Sequence, residues 1–187
     1  MDVVESILEF WFGRPGTPDH GRLRAIWFEK NAGFDSAIRV RFRDAYESAA
    51  RGDLDGAMGS ARGCLALAIL LDQFPRNMFR GMAKAFVGDP KARSVASEAI
   101  AKGFDLAVTP TERRFFYLPF EHSESLADQE RSLALFTRLG DAESIDYAIR
   151  HLEIIQRFGR FPHRNLALGR ASTDAERAFL TQPGSSF

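Results

Sequence analysis

The sequence holds one cysteine, Cys64. That excludes an intrachain disulfide and any cysteine-built metal site, and it fits a reducing compartment. Excess charge of either sign is also missing, since 25 basic residues balance 25 acidic ones. A chain of net charge zero lacks the global attraction that nucleic acid or an anionic bilayer surface would exploit. No apolar run approaches the ~20 residues of a membrane span. The opening MDVVESILEF carries acid where a secretory signal carries base, so a cytoplasmic location is expected. Lysine is scarce, 4 residues against 21 arginines. That bias fits either heavy use of bidentate anion contacts or a GC-rich genome that favours arginine codons. The glycine-rich nucleotide loops, the G-x-S-x-G elbow and any cysteine–histidine nucleophile set are absent. His122, His151 and His163, with Glu121 and Glu124, include metal-ligand types. No histidine pair has the i, i+4 spacing of a helical site, so neither metal nor cofactor is expected.

What is present points to helices. The 187 residues, 45% of them hydrophobic and 27% charged, suit one globular domain spanning 1–187. Seventeen phenylalanines predict an aromatic core. Sustained period-two alternation is lacking, while apolar residues recur at helical spacing nearly throughout. Asp2 caps a first helix with Val4, Ile7, Leu8 and Trp11 inward. A second is expected over roughly 20–30 with Leu23, Ile26 and Trp27 inward, and a third from Asp35 to about Arg51, stopped by Gly52. The run Leu65 to Leu71 is apolar on every side and marks a central helix over about 60–74. Pro75 should end or kink it at Phe74. Asp89-Pro90 reads as a cap followed by proline at the first helical position. Thr109 with Glu112, and Thr173 with Glu176, read as capping boxes. Ser125 opens a helix with Leu126, Gln129, Leu133 and Phe136 inward, and Asp141 or Ser144 opens another that reaches Phe158. The total is about eight to nine helices without a linker long enough to separate domains.

Three polar stretches adjoin apolar ones. The first contains Asp72, Gln73, Arg76, Asn77 and Arg80. A forked arginine pair with an asparagine suits a carboxylate or phosphate. Alternatively Asp72 pairs with Arg76, and Gln73 and Asn77 satisfy backbone groups at the helix end. The second, residues 112–124, places Glu121 and His122 behind an aromatic run, and Gln129 belongs with it because an inward glutamine needs buried partners. Histidine is the side chain suited to proton movement near neutral pH, although one beside aromatic rings also serves as a satisfied structural residue. The third, residues 156–170, carries Arg157, Arg160, His163, Arg164, Asn165 and Arg170. No acid falls between Glu153 and Asp174. It either neutralises the acidic stretch of Glu121, Glu124, Asp128 and Glu130 or forms a small anion site. Phe74-Pro75-Arg76-Asn77 is echoed by Phe161-Pro162-His163-Arg164-Asn165 with one residue inserted.

Together these stretches resemble the bacterial family known as domain of unknown function 924. The resemblance runs from LEFWFG (Leu8 to Gly13) and WFEK (Trp27 to Lys30) through LLDQFPRNMFRG, ERRFFYLPFEHSE, DQERS and RFGRFPHRN to LGR and the terminal SF. It implies an all-α fold similar to the tetratricopeptide-like superfamily, although the 34-residue tetratricopeptide consensus is not displayed here. It implies no activity and no catalytic residue. The expected architecture is therefore all-helical, with stacked helix pairs or an irregular bundle. Stacked pairs leave concave surfaces that bind peptides. One functional expectation is thus a binding or scaffolding module whose groove, lined by Arg76, Asn77, Arg80, Arg160, Arg164 and Asn165, takes an acidic peptide or small anion. A second is a small-molecule binder or enzyme acting on an anionic metabolite, with His122 or His163 as acid–base group and Arg76 or Arg164 holding the anion. In a third, the polar motifs only hold the fold together.

Overall fold

The structure, a computed structural model, describes residues 2–18 and 20–186; Phe187, the end of the SF string, lies outside them. Among these residues the regular elements are all helical, and nine α-helices are present. The chain divides into two compact units. The first comprises residues 1–80 and 84–119, the second residues 81–83 and 120–187.

In the first unit, α1 (Val3–Phe12) starts on Asp2, whose carboxylate accepts the Val4 N–H, and buries Ile7, Leu8, Trp11 and Phe12. The expected helix over 20–30 is only a single 3-10 turn, Ala25–Trp27. Tertiary bonds replace helical ones there. The Arg24 guanidinium donates to the Phe10 and Trp11 carbonyls, and the Trp27 indole donates to the Trp11 carbonyl. Leu23 is exposed, and Trp27 alone of the three expected inward residues is buried. Helix α2 (Ala32–Arg51) begins on Asn31 and ends at Gly52, whose φ of 99° is the left-handed conformation that glycine adopts without strain. Around Trp11 the rings of Trp27, Phe34, Phe74 and Phe115 pack at centroid separations of 5.5–5.8 Å, each pair adding about 0.5–1.5 kcal/mol beyond its buried area.

The central rod departs from expectation. Helix α3 (Ala61–Ala68) does not stop at Phe74. It widens into a π-helical turn, Ile69–Gln73, and continues as α4 (Phe74–Met78). Pro75 explains the widening. It has no N–H to give, and in an α-helix its ring would strike the carbonyl four residues earlier, Leu71. The wider turn, in which the Phe74 N–H reaches back to the Ile69 carbonyl, removes that collision. The Leu71 carbonyl instead lies against Gly88, where a Cβ would come within 2.4 Å of it. Helix α5 (Asp89–Ala101) follows, capped at Gly88 and not at Asp89. Helix α6 (Pro110–Glu121) opens on the expected capping box, with Glu112 and Thr109 exchanging both bonds. It ends at Phe120 and Glu121 in the second unit.

The second unit is built on a helical hairpin. Helix α7 (Leu126–Leu139) and α8 (Ala142–Phe158) are joined through Gly140 and Asp141 alone, and α8 folds back along α7. Gln129, Ser132 and Phe136 form the buried face of α7, and Ala148, His151 and Ile155 that of α8. Leu126, expected inward, is 46% exposed because it lies off the phase of that stripe. A turn at residues 162–164 and α9 (Asp174–Leu180) complete the unit, the latter on the expected Thr173–Glu176 capping box.

Candidate functional site

The first polar stretch belongs to the first unit and closes on acids of that unit. Arg76 forks Asp89, with Nη1 and Nη2 at 2.8 and 3.0 Å from its two oxygens, lies 3.2 Å from Asp72, and donates to the Asp72 carbonyl. Asp72 and Asp89 are almost fully buried. Burial works against the Arg76 charge, and these two carboxylates outweigh it, so its pKa is raised. Arg80 forks Asp35. Gln73 and Asn77 do not satisfy a helix end, because the helix does not end there. Gln73 donates to Asp72 and Asn77 to Asp35. Asp89, expected as a cap, has become the arginine's partner.

The remaining predicted residues belong to the second unit. Arg160 forks Glu176 at 2.7 and 2.9 Å. That pairing and the Thr173 N–H hold the Glu176 carboxyl down at about 2. Glu124 accepts a second fork from Arg170 and the Phe161 N–H. Burial raises its pKa, but these donors win and the net shift is downward. Asn165 bridges Arg170 and Ser172. The basic and acidic stretches thus neutralise each other at Glu124–Arg170.

Arg164 and the histidines are arranged differently. Phe161, fully buried, is their hub. The Arg164 guanidinium lies 4.6 Å from its ring centroid, His163 at 5.6 Å and His151 edge-on at 5.5 Å. His122 lies 6.4 Å from His151. His151 Nδ1 is 3.6 Å from Glu121 but 2.8 Å from the Tyr147 carbonyl. A carbonyl can only accept, so Nδ1 bears the proton and Nε2 carries a lone pair. Burial pushes the His151 pKa down to about 3, and repulsion of its cationic form by His122, Arg164 and His163 pushes the same way, against the Tyr147 bond. Gln129, fully buried as expected, donates through Nε2 to the carbonyls of Phe120, Glu121 and Ser123. It thereby caps the C-terminal end of α6 with a side chain.

A neutral buried histidine makes the fold acid-sensitive. The unfolded chain binds a proton at His151 below about pH 6.5; the folded chain does so only near 3. Stability is therefore unaffected above pH 6.5 and falls steadily as pH drops from 6.5 toward 3, by about 2 kcal/mol at pH 5. Urea melts of wild type and His151→Gln between pH 7 and 5 check this. The difference between them should shrink by about 2 kcal/mol over that range, and a pH-independent difference would show that His151 binds its proton equally well in the folded and the unfolded chain.

Among the described residues, no three of histidine, cysteine, aspartate and glutamate are placed to hold a metal ion, and no helix is long and apolar enough to cross a membrane. A shallow surface depression in the first unit is lined by Leu8, Phe12, Pro15, His20, Arg62 and Glu112, and the predicted site residues do not reach it. Sequence reasoning missed Asp35, Asp89 and Glu176 as arginine partners, and it missed Ser132. The last stands in DQERS, where its place three residues after Gln129 was the available signal.

No curated protein matches the chain. A solved structure of a protein of unknown function from Agrobacterium tumefaciens is similar to it, with 46% sequence identity, a TM-score of 0.86, and coverage of 95% of this chain and 96% of that one. The family model described as bacterial protein of unknown function (DUF924) matches residues 7–184. By that match, and by a fold shared with a close relative, the chain belongs to the DUF924 family.

Proposed function

We propose that the protein binds a small anion in its second unit, at the group of His122, His151, His163 and Arg164 around Phe161. The observation that carries this is the concentration of two imidazoles and a guanidinium about one buried ring, with a third imidazole beside His151. A guanidinium in a low-dielectric setting attracts an anion far more strongly than the same group in water; the neutral His151, whose one N–H goes to the Tyr147 carbonyl, adds no donor of its own. An acidic peptide on an arginine groove draws less support. Arg76, Arg80 and Arg160 each already hold a carboxylate with both arms of the guanidinium, so a peptide acid would have to displace one. Acid–base catalysis draws less support as well. A histidine with a pKa of about 3 accepts hydrogen bonds at neutral pH but is a poor general base.

Thermal melts with succinate and inorganic phosphate test the proposal. Ligand at about ten times Kd should raise the melting temperature by roughly 3–5 °C. His163→Gln and Arg164→Met should each reduce that shift, and Arg80→Gln should not. A shift that survives both second-unit variants, or disappears in Arg80→Gln, would move the site elsewhere.

A further inference from the structure

The echo of Phe74-Pro75-Arg76-Asn77 in Phe161-Pro162-His163-Arg164-Asn165 is structural as well as sequential. In both copies the phenylalanine and the asparagine are buried, and the proline stands in the first turn of a short helical segment. Asn77 Nδ2 donates to Asp35, and Asn165 Nδ2 to Ser172. Each copy ends on a left-handed glycine, Gly81 at φ 74° and Gly169 at φ 65°. The copies part at the residue after the asparagine. Met78 is 1% exposed, whereas Leu166 is 94% exposed, and Leu168 beyond it is exposed too. The first copy shows how the position is covered. Helix α2 lies along α4, with Arg39 donating to the Met78 carbonyl and the Tyr46 ring 5.8 Å from that of Phe79. The motif thus places this position under a neighbouring element, and among the described residues none covers Leu166.

Leu166 is also held still. The Leu168 and Arg170 N–H groups donate to the Arg164 and Asn165 carbonyls just before it, and the Arg170 guanidinium ties together Asn165, Glu124 and the Phe161 carbonyl. A segment fixed in advance loses little further freedom on docking. Charge narrows the choice of occupant. Arg160 and Arg170 in the same stretch each hold a carboxylate with both arms, so an acidic partner finds those charges already taken. The chain as a whole has net charge zero, so two copies meet without long-range repulsion. A protruding apolar side chain among neutralised charges can meet its own image across a two-fold axis. We infer that Leu166, with Leu168, is the centre of a two-fold contact between two copies of this chain. Two leucines from each copy form the core of a contact at or below the ~1,200 Å² low end of specific interfaces. The dimer is therefore weak, with a Kd on the order of tens of micromolar.

Sedimentation equilibrium of the full chain from about 2 to about 500 μM, a range that brackets this Kd, tests the inference. Wild type should pass from monomer to dimer and stop there, because a two-fold contact closes on itself. Leu166→Ser should weaken association at least about tenfold, since each dimer loses two buried leucines. Dilute Leu166→Ser should melt with dilute wild type, because the side chain is almost fully exposed in the monomer. Only the wild-type melting temperature should rise with concentration. Leu23→Ser, which removes an exposed leucine of the first unit, should leave the dimer intact. A wild type that stays monomeric at the top of the range would overturn the inference. So would a ladder of ever larger oligomers, or a dimer that survives Leu166→Ser or is lost in Leu23→Ser.

Discussion

Replacing Arg76 by leucine should destabilise the protein by about 3–5 kcal/mol, which is the range for removing one partner of a buried ion pair. In a chain of 187 residues this corresponds to a fall in melting temperature of roughly 6–20 °C. The size follows from what is left behind. Asp72 is 1% exposed and Asp89 6%, and the Arg76 guanidinium between them serves both. Without it two buried carboxylates lose the guanidinium that lies between them. Desolvation and mutual repulsion then favour the protonated carboxyls. A carboxyl whose folded pKa is raised binds its proton more tightly in the native state, so acid stabilises the variant. The gap between wild type and Arg76→Leu should therefore narrow as pH falls from 7 toward 4. Arg76→Lys keeps the charge but cannot make the fork to Asp89 together with the Asp72 carbonyl bond, and its loss should be smaller. Chemical melts at three pH values decide the matter. A gap independent of pH would mean that the carboxylates are not under the arginine's control.

The same network shows what the sequence could disclose. Caps were legible because donor and acceptor lie within four residues of each other. Thr109 with Glu112 and Thr173 with Glu176 behave as their order along the chain implies, and of the two expected openers Asp141 and Ser144 it is Asp141 that caps. The Asp72–Arg76 pair was legible for the same reason, as an i, i+4 neighbour. The forks were not. Asp35 and Arg80 are 45 positions apart, and Glu124 and Arg170 46 apart, and nothing local says which acid a distant arginine will choose. Asp89 misled because an acid before proline is also a good helix cap, and a tertiary ion pair took precedence over the local role. Residues 20–30 misled in the opposite sense. Their apolar spacing suits a helix, but Arg24 and Trp27 bond to the end of α1, and the backbone is extended at Arg24 where a helix would have begun. The division into two units left no trace in composition because it falls inside a helix, α6, where no linker is needed. The proposed second-unit site was half legible. Its histidines and Gln129 stand out as polar residues in apolar surroundings, whereas Phe161 looks like any other core ring until the residues around it are placed.

The rod through the first unit depends on two glycines for a reason that no hydrophobic pattern carries. Gly63 lies one turn inside α3, and a Cβ there would sit 1.9 Å from the Ala57 carbonyl oxygen and 2.7 Å from its carbon. The obstacle is backbone, in the 3-10 turn Asp55–Gly59 that leads into the helix, so no side-chain rotation can relieve it. Gly63 also donates its N–H to the Ser60 hydroxyl that caps the helix. Pushing the two segments apart to admit a methyl group therefore strains the cap as well. Gly63→Ala should destabilise by about 3 kcal/mol, the upper part of the usual range for overpacking, even though alanine is the better helix former by about 1 kcal/mol. Gly88→Ala should follow at a smaller loss. Its obstacle is the Leu71 carbonyl at 2.4 Å, which the π-turn can return toward the helix axis only by restoring the collision with Pro75. Gly56→Ala is the control, because nothing lies within 4 Å of its Cβ position. The expected order of melting temperatures is Gly63→Ala lowest, Gly88→Ala between, and Gly56→Ala equal to wild type. If Gly63→Ala melts with the control, the 3-10 turn yields without resistance, and the close approach of backbone to backbone is not what sets the start of the central helix.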